Sequence, residues 1–142
     1  MFRKPVIISI SKYKLTNSEK EVIKNHKPWG VILFQRNISS FDQLKELTKD
    51  IRKCLKDPFY PILVDEEGGK VNRLKPVYGF HETKSAKYLG DINNLDSTYY
   101  YAKKTSDLLK ELGINVNFAP VVDLAINTSN FIYNAERSFG KD

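Results

Sequence analysis

Apolar runs of strand length alternate along the chain with segments that carry helix signals. Three such runs lie at residues 6–10, 31–34 and 62–64, and a fourth follows at residues 114–118. The run at 62–64 contains no polar residue, which suits a strand that is buried on both faces of a parallel sheet. Because the strands alternate with helices, the pattern predicts parallel βαβ units and an α/β fold.

Capping residues mark the boundaries of the first two predicted helices. Thr16 and Glu19 have the spacing of a capping box, which predicts a helix that runs to about His26. Ser40 begins the second helix, which ends at residues 57–58, where an aspartate precedes a proline. The second helix has apolar residues at the spacing of one buried face, namely Phe41, Leu44, Leu47, Ile51 and Leu55.

The last helix signal lies in the final third of the chain. Asp96 or Ser97 is the predicted N-cap of a helix that runs to Leu112. Residues 74–90, before this helix, are predicted to be an irregular connection, and such long connections are usually functional or loosely ordered. Residues 125–142 are predicted to form another loop at a strand exit.

The stretch from residue 61 to residue 73, PILVDEEGGKVNR, combines three acids, two glycines and two cations directly after an apolar run. Asp65 falls at the carboxyl end of the predicted strand, where ligands bind in open α/β sheets and in α/β barrels. Gly68 and Gly69 permit a sharp reversal of the backbone. The stretch therefore predicts a binding site, whereas three acids alone would indicate only a solvated turn.

The residue types at this site favour recognition of hydroxyl groups over catalysis. An ionised Asp65 can accept two charge-assisted hydrogen bonds from neighbouring hydroxyls, and Arg73 and Arg137 can donate to the same ligand. Neighbouring acids cannot flank one glycosidic bond, so they make poor joint catalysts. The alternative for Arg73 is a structural salt bridge to Glu66 or Glu67.

Composition sets limits on the class of protein. The 142 residues include a single cysteine, so no disulfide framework is expected and a reducing compartment is favoured. No segment approaches membrane-spanning length, and no phosphate-binding glycine loop, G-x-S-x-G or H-E-x-x-H motif is present in the sequence. The net charge of +6 comes from residues 1–60, which carry 13 Lys and Arg against 6 Asp and Glu. These cations lie beside acids in predicted helices, so nucleic-acid binding is only a weak alternative.

Four ordered motifs resemble the amino-terminal domain of glycoside hydrolase family 3. PILVDEEGGKVNRL is similar to the VDxEGGxVxR signature of that family, and the other three motifs are GVILFQRNI, GINVNFAPVVDL and ERSFGKD. The nearest branch is the bacterial cytosolic β-N-acetylglucosaminidases of peptidoglycan recycling. The resemblance covers essentially the whole chain and implies a (β/α)8 TIM-type barrel, retention of configuration, and neither a metal nor an organic cofactor.

The resemblance assigns Asp65, Arg73 and Arg137 to binding of the non-reducing sugar. Glu66 stands where the family commonly has Gln, and Lys70 where it commonly has Arg. The family's Lys-His segment, its acid/base histidine and its aspartate nucleophile all follow the R-S-F segment, and no residue of this chain matches them.

We therefore expect residues 1–142 to form a single, incomplete barrel domain, the amino-terminal part of the barrel. This domain would be cytoplasmic and would bind a β-N-acetylglucosaminyl saccharide without a catalytic residue of its own. The alternative to a truncated β-N-acetylhexosaminidase is a non-enzymatic sugar-binding subunit that completes its barrel with a second chain. No nucleic-acid or membrane partner is expected.

Overall fold

Parallel strands form one sheet, and helices connect them. The structure is a computed structural model that describes residues 2–126, 129 and 131–141. The strands are β1 (Lys4–Ser9), β2 (Pro28–Leu33), β3 (Ile62–Val64) and β4 (Val116–Asn117). The helices are α1 (Asn17–His26), α2 (Phe41–Leu55), α3 (Ala86–Ile92), α4 (Leu95–Glu111) and α5 (Phe131–Asn134), and 3-10 turns lie at Gln35–Asn37 and Pro76–Tyr78.

The sheet has the strand order β1-β2-β3-β4, and every neighbouring pair is parallel. Each strand after β1 therefore pairs with the strand that precedes it in the chain. Parallel neighbours require a crossover connection, which α1 and α2 supply between the first three strands. The predicted α/β architecture with parallel strands is confirmed.

The core lies between the sheet and the helices. Alternate residues of β3, Ile62 and Val64, belong to the main apolar cluster, together with residues of α2 such as Leu44 and Ile51. Leu63 is also fully buried and packs on the opposite face against Gly30, where a β-carbon would lie 2.6 Å from its Cδ1. Strand β3 is therefore buried on both faces, as its unbroken apolar run predicts.

The helix caps agree with the sequence at the first two helices. The Thr16 hydroxyl accepts the backbone N–H of Glu19 at 3.2 Å, and the Glu19 carboxylate accepts the N–H of Thr16 at 2.8 Å. Ser40 caps α2 through the N–H of Gln43 at 3.2 Å, but the Gln43 side chain accepts from the N–H of Ser39, one residue earlier than in a capping box.

Four predicted boundaries are wrong. Residues 74–90 are not wholly irregular, because α3 begins at Ala86, where the Ser85 hydroxyl accepts the N–H of Tyr88 at 3.2 Å. The N-cap of α4 is Asn94, which accepts the N–H of Ser97 at 2.8 Å and directly follows Asn93, the C-cap of α3.

Strand β2 begins at Pro28, earlier than residues 31–34 indicate, because the carbonyl of Lys27 accepts the N–H of Lys4 and β1 pairs alongside Pro28. Strand β4 is shorter than residues 114–118 predict. At Asn115 the backbone N–H donates to the Ile62 carbonyl at 3.1 Å, but the N–H of Ile62 donates to the side-chain Oδ1 of Asn115 at 2.8 Å. In the described part of the chain, no helix is long and apolar enough to cross a membrane.

Candidate functional site

Asp65 follows β3 directly and forms an ion pair with Arg73. Its Oδ2 lies 3.3 Å from Nη2 of Arg73, and the two side chains are 25% and 27% exposed. The Nε of Arg73 is buried and has no hydrogen-bond partner among residues 2–126, 129 and 131–141. The pair therefore lies at the edge of solvent, and its guanidinium has donors that these residues do not use.

Glu66 points into the protein and anchors the backbone that carries Arg73. Its Oε2 accepts the backbone N–H of Arg73 at 2.8 Å and that of Leu74 at 3.0 Å, while Oε1 accepts the hydroxyl of Thr83 at 3.2 Å. The residue is only 2% exposed. Burial raises the pKa of the Glu66 carboxyl, and these hydrogen bonds partly oppose the rise.

Glu67 forms an ion pair with Arg137 that has the shortest contacts of the site. Nε of Arg137 donates to Oε2 at 2.8 Å and Nη2 donates to Oε1 at 2.7 Å, so the pair is bidentate. The hydrogen bond to Glu67 raises the pKa of Arg137, and the negative charges of Glu67, Asp123 and Asp65 add to the rise.

A tight turn at Gly68 and Gly69 directs these carboxylates. Both glycines have positive φ, 87° and 56°. A β-carbon at Gly68 would lie 2.0 Å from the carbonyl oxygen of Lys84, and one at Gly69 would lie 2.4 Å from Cβ of Ser85. Only glycine fits both the backbone conformation and the close approach, so the turn packs directly against the segment that begins α3.

The structure brings the three predicted site residues to the carboxyl end of β3. Arg73 contacts Asp65 directly, and Arg137 binds Glu67, two residues further along the chain. The alternative for Arg73, an ion pair with Glu66 or Glu67, is not the arrangement found, since its guanidinium pairs with Asp65. The binding of a sugar by these side chains stays a prediction.

Sequence reasoning gave no positioning role to Glu66, Glu67 or Asn117. Oδ1 of Asn117 accepts the backbone N–H of Glu66 at 3.0 Å, and its Nδ2 donates to the Glu66 carbonyl at 3.0 Å. The run of three acids before two glycines could have indicated such roles. Successive side chains at the end of a strand point in different directions, so each acid is expected to take a different partner.

A groove of about 560 Å³ adjoins the site between α4 and β4. Glu66, Glu67 and Arg137 border it, whereas Asp65 and Arg73 do not. Its walls include Tyr101 and Leu109 of α4. Within the described residues, no cluster of three or more His, Cys, Asp and Glu side chains is arranged to hold a metal ion.

Comparison with known proteins gives consistent matches in sequence and in structure. The family described as glycosyl hydrolase family 3 N terminal domain matches residues 5–142. A β-hexosaminidase of Neisseria meningitidis serogroup A is 35% identical over 147 residues, which cover 99% of this chain and 39% of that protein. The chain thus spans about two fifths of the length of this relative.

Two solved structures share the fold. The family 3 β-N-acetylglucosaminidase of a Paenibacillus species superposes with a TM-score of 0.82 at 26% identity, over 89% of this chain and 24% of that one. NagZ from Neisseria gonorrhoeae, in complex with N-trifluoroacetyl-D-glucosamine, has a TM-score of 0.78 at 31% identity, over 99% of this chain and 42% of that one. The likeness confirms the expected barrel-type α/β fold. The chain belongs to glycoside hydrolase family 3, as its N-terminal domain.

Proposed function

We propose that this chain supplies the sugar-binding part of a β-N-acetylhexosaminidase-type site, in which Asp65, Arg73 and Arg137 bind the non-reducing sugar of a β-N-acetylglucosaminyl saccharide. The observation that carries the proposal is the 3.3 Å contact between Arg73 and Asp65 at the carboxyl end of β3, with Arg137 paired to the nearby acid Glu67. A relative solved with N-trifluoroacetyl-D-glucosamine supports the choice of sugar.

The chemistry of the pair suits a ring that carries neighbouring hydroxyls. Asp65 can accept from two hydroxyls in a fork, and the free donors of Arg73 can bond a sugar oxygen. The contact between Asp65 and Arg73 is long for a charged hydrogen bond, so a sugar hydroxyl can displace it at little cost. Each charged hydrogen bond contributes roughly 1.5 to 3 kcal/mol, which is enough for millimolar binding of a single sugar.

Hydrolysis needs a pair of catalytic groups that the three acids after β3, as the described part of the chain arranges them, do not supply. A retaining glycosidase requires an acid/base and a nucleophile about 5 to 5.5 Å apart on either side of the bond. Here the carboxylate of Glu66 accepts hydrogen bonds from three donors, and the carboxylate of Glu67 forms a bidentate pair with an arginine. Of the three acids, Asp65 is therefore the one that can bind a ligand. We therefore propose that residues 1–142 form a single, incomplete barrel domain in which these three acids have no catalytic role.

The biological setting that fits is the cytoplasmic recycling of peptidoglycan-derived sugars. In support, the described residues include Cys54 as a free cysteine, in keeping with a reducing compartment. The basic residues near the start of the chain pair with acids on helix surfaces, for example Lys53 with Asp50 at 2.9 Å, which gives no support to nucleic-acid binding.

A second candidate function is that of a subunit whose barrel is completed by another polypeptide. Among the described strands, β4 pairs on one side only, with β3, so its other edge is open. The side chains of Val122 and Leu124, just after it, are exposed. An open strand edge beside exposed apolar side chains is a surface on which a further strand and helix can pack. Co-purification with a chain that carries the missing catalytic segments would support this candidate, and a stable lone monomer would contradict it.

Titration of the purified chain with N-acetylglucosamine, followed by NMR, tests the leading proposal. We expect saturable shifts at residues 65–74, and about a tenfold or greater loss of affinity in Asp65→Asn. The matched control is Asp107→Asn, since Asp107 is an exposed residue of α4 paired with Lys103. Absence of saturable binding by the wild-type chain would refute the proposal. Release of the chromophore from an aryl β-N-acetylglucosaminide by the chain alone would refute the claim that it lacks a catalyst.

A further inference from the structure

We propose that Glu67 is a positioning residue for Arg137, which it orients for ligand binding through the bidentate ion pair. This inference deepens the proposed function and rests on it for the role of Arg137. Both carboxylate oxygens of Glu67 are engaged, at 2.8 Å and 2.7 Å, and the side chains of Glu67 and Arg137 are 8% and 24% exposed. Water therefore competes weakly for the Glu67 oxygens, and the geometry of the fork fixes the plane of the guanidinium.

Glu67 is itself held in place by the glycine turn. Its backbone N–H donates to the carbonyl of Val71 at 3.0 Å, and the N–H of Val71 donates back to Gly68 at 3.2 Å. The N–H of Gly69 donates to the carbonyl of Thr83 at 3.2 Å, which ties the turn to the segment before α3. The carboxylate is thus presented from a closed loop with little freedom to move.

Arg137, in contrast, lies outside regular secondary structure. It follows the four-residue helix α5, and the preceding Glu136 has a left-handed conformation with φ of 60°. Its own backbone N–H donates to the carbonyl of Ile132 at 3.0 Å. Because such a segment does not fix a long side chain, the direction of the guanidinium depends on the partner that binds it.

The ion pair leaves the guanidinium able to bind a ligand. Arginine has five N–H donors, and Glu67 uses the Nε donor and one donor of Nη2. The donors of Nη1 and the second donor of Nη2 project from the other edges of the same plane. Glu67 thus occupies one edge and leaves the remaining edges for sugar oxygens.

A second contact between the same two segments provides a matched control. Lys70, in the glycine turn, donates to the carbonyl of Asn134 at 2.8 Å and pairs with Glu136 at 3.2 Å. This contact joins the turn to the Arg137 segment without touching the guanidinium. The Lys70 side chain is 58% exposed, so its contribution is screened by solvent.

The test combines a structural and a binding measurement on the full chain. The first is the rate of solvent exchange of the Arg137 Nε–H proton, followed in ¹⁵N-labelled protein and assigned by its loss in Arg137→Lys. The second is the affinity for N-acetylglucosamine. In Glu67→Gln we expect exchange to be faster and the dissociation constant to be higher, each by about tenfold or more. In Lys70→Gln we expect both to stay within about threefold of wild type.

Glu67→Asp serves as a second variant, because it keeps the charge and retracts the carboxylate by one methylene. We expect an exchange rate between those of the wild type and Glu67→Gln. A slowly exchanging Nε–H in Glu67→Gln, or unchanged sugar affinity in that variant, would overturn the proposal. A wild-type chain that does not bind the sugar would refute the proposed function instead, whereas the exchange measurement needs no ligand and would still decide whether Glu67 orients Arg137.

Discussion

The side-chain amide of Asn117 bonds both backbone polar groups of Glu66. Its Oδ1 accepts the N–H and its Nδ2 donates to the carbonyl, each at 3.0 Å. The amide continues the pairing of β3 and β4 one step beyond the last ladder pair, Val64 with Asn117. The backbone between Asp65 and Glu67 is therefore held at a fixed position relative to β4.

Replacing Asn117 by alanine is expected to lower the free energy of unfolding by about 1 to 2 kcal/mol, since two hydrogen bonds to a partly buried backbone are lost. Urea denaturation measures this change. The control is Asn25→Ala, because the Asn25 side chain makes an exposed and long contact, 3.4 Å, with Glu21; this variant should stay within about 0.5 kcal/mol of wild type. Equal losses in both variants would contradict the role of Asn117.

Glu66→Gln is expected to change how stability depends on pH. Burial raises the pKa of Glu66 above its ordinary value of 4.5, so between the unfolded and folded pKa values the folded protein binds more protons. The corresponding stabilisation is complete below the unfolded pKa and is lost as the pH rises through the folded pKa. A glutamine at this position does not titrate, so it makes no pH-dependent contribution to stability. The free energy of unfolding of Glu66→Gln relative to wild type should therefore increase between pH 4 and pH 7, by at most about 1.4 kcal/mol per pH unit.

The measurement is a series of urea denaturation curves at several pH values. Glutamine can still accept from the N–H groups of Arg73 and Leu74 and can donate its amide to Thr83, so the variant should fold. Glu21→Gln, at an exposed residue of α1, is the control and should differ from wild type by less than about 0.5 kcal/mol. A stability difference for Glu66→Gln that falls as the pH rises would show that the sign is wrong.

Gly68→Ala is expected to destabilise the chain by at least about 2 kcal/mol more than Gly79→Ala. The two glycines have almost the same φ, 87° and 86°, so the strain of placing alanine in the left-handed region is similar. A β-carbon at Gly68 would meet the Lys84 carbonyl at 2.0 Å, whereas a β-carbon at Gly79 would meet no atom of the described structure within 4 Å. Thermal or urea denaturation gives the two values, and similar losses would mean that the close approach is not required.

Arg73→Lys is expected to weaken binding of N-acetylglucosamine by about tenfold while leaving stability nearly unchanged. Lysine keeps the positive charge near Asp65 but lacks the planar fork. The control is Arg36→Lys, because Arg36 lies just beyond the exit of the neighbouring strand β2 and donates to the carbonyl of Ile10 at 3.1 Å. Sugar affinity should be unaffected in that variant, and an equal loss in the two lysine variants would remove the specific role of Arg73.

The elements with strong local signals could be predicted from the sequence. Strand β3 has only apolar residues, and α1 begins with a reciprocal cap between Thr16 and Glu19, so short-range chemistry determines both. Helix α3 was missed because it has seven residues and contains Gly90, where a β-carbon would meet the carbonyl oxygen of Phe139 at 1.6 Å. Gly90 is required by a contact with a distant segment of the chain, and a local sequence pattern carries no information about such a contact.

The candidate site could be predicted as a set of residues but not as a set of pairs. Asp65 and Arg73 are eight residues apart, yet the ion pair between them was not predicted, since Glu66 or Glu67 was the expected alternative partner of Arg73. The partner of Arg137 is 70 residues away, and its choice of Glu67 over Asp65 depends on how the glycine turn directs each carboxylate. Three adjacent acids have the same chemistry, so only the folded backbone distinguishes them.

The sequential strand order has a consequence for how the chain can assemble during its synthesis. Since β2 pairs with β1, and each later strand adds beside its predecessor, no strand must wait for a partner that has yet to leave the ribosome. Each newly synthesised strand and helix can pack on the edge of the sheet that is already formed, and its apolar face is buried at that step. The sheet can therefore grow in the direction of translation, and the loops that carry Asp65 and Arg137 form only after the strands beneath them are ordered.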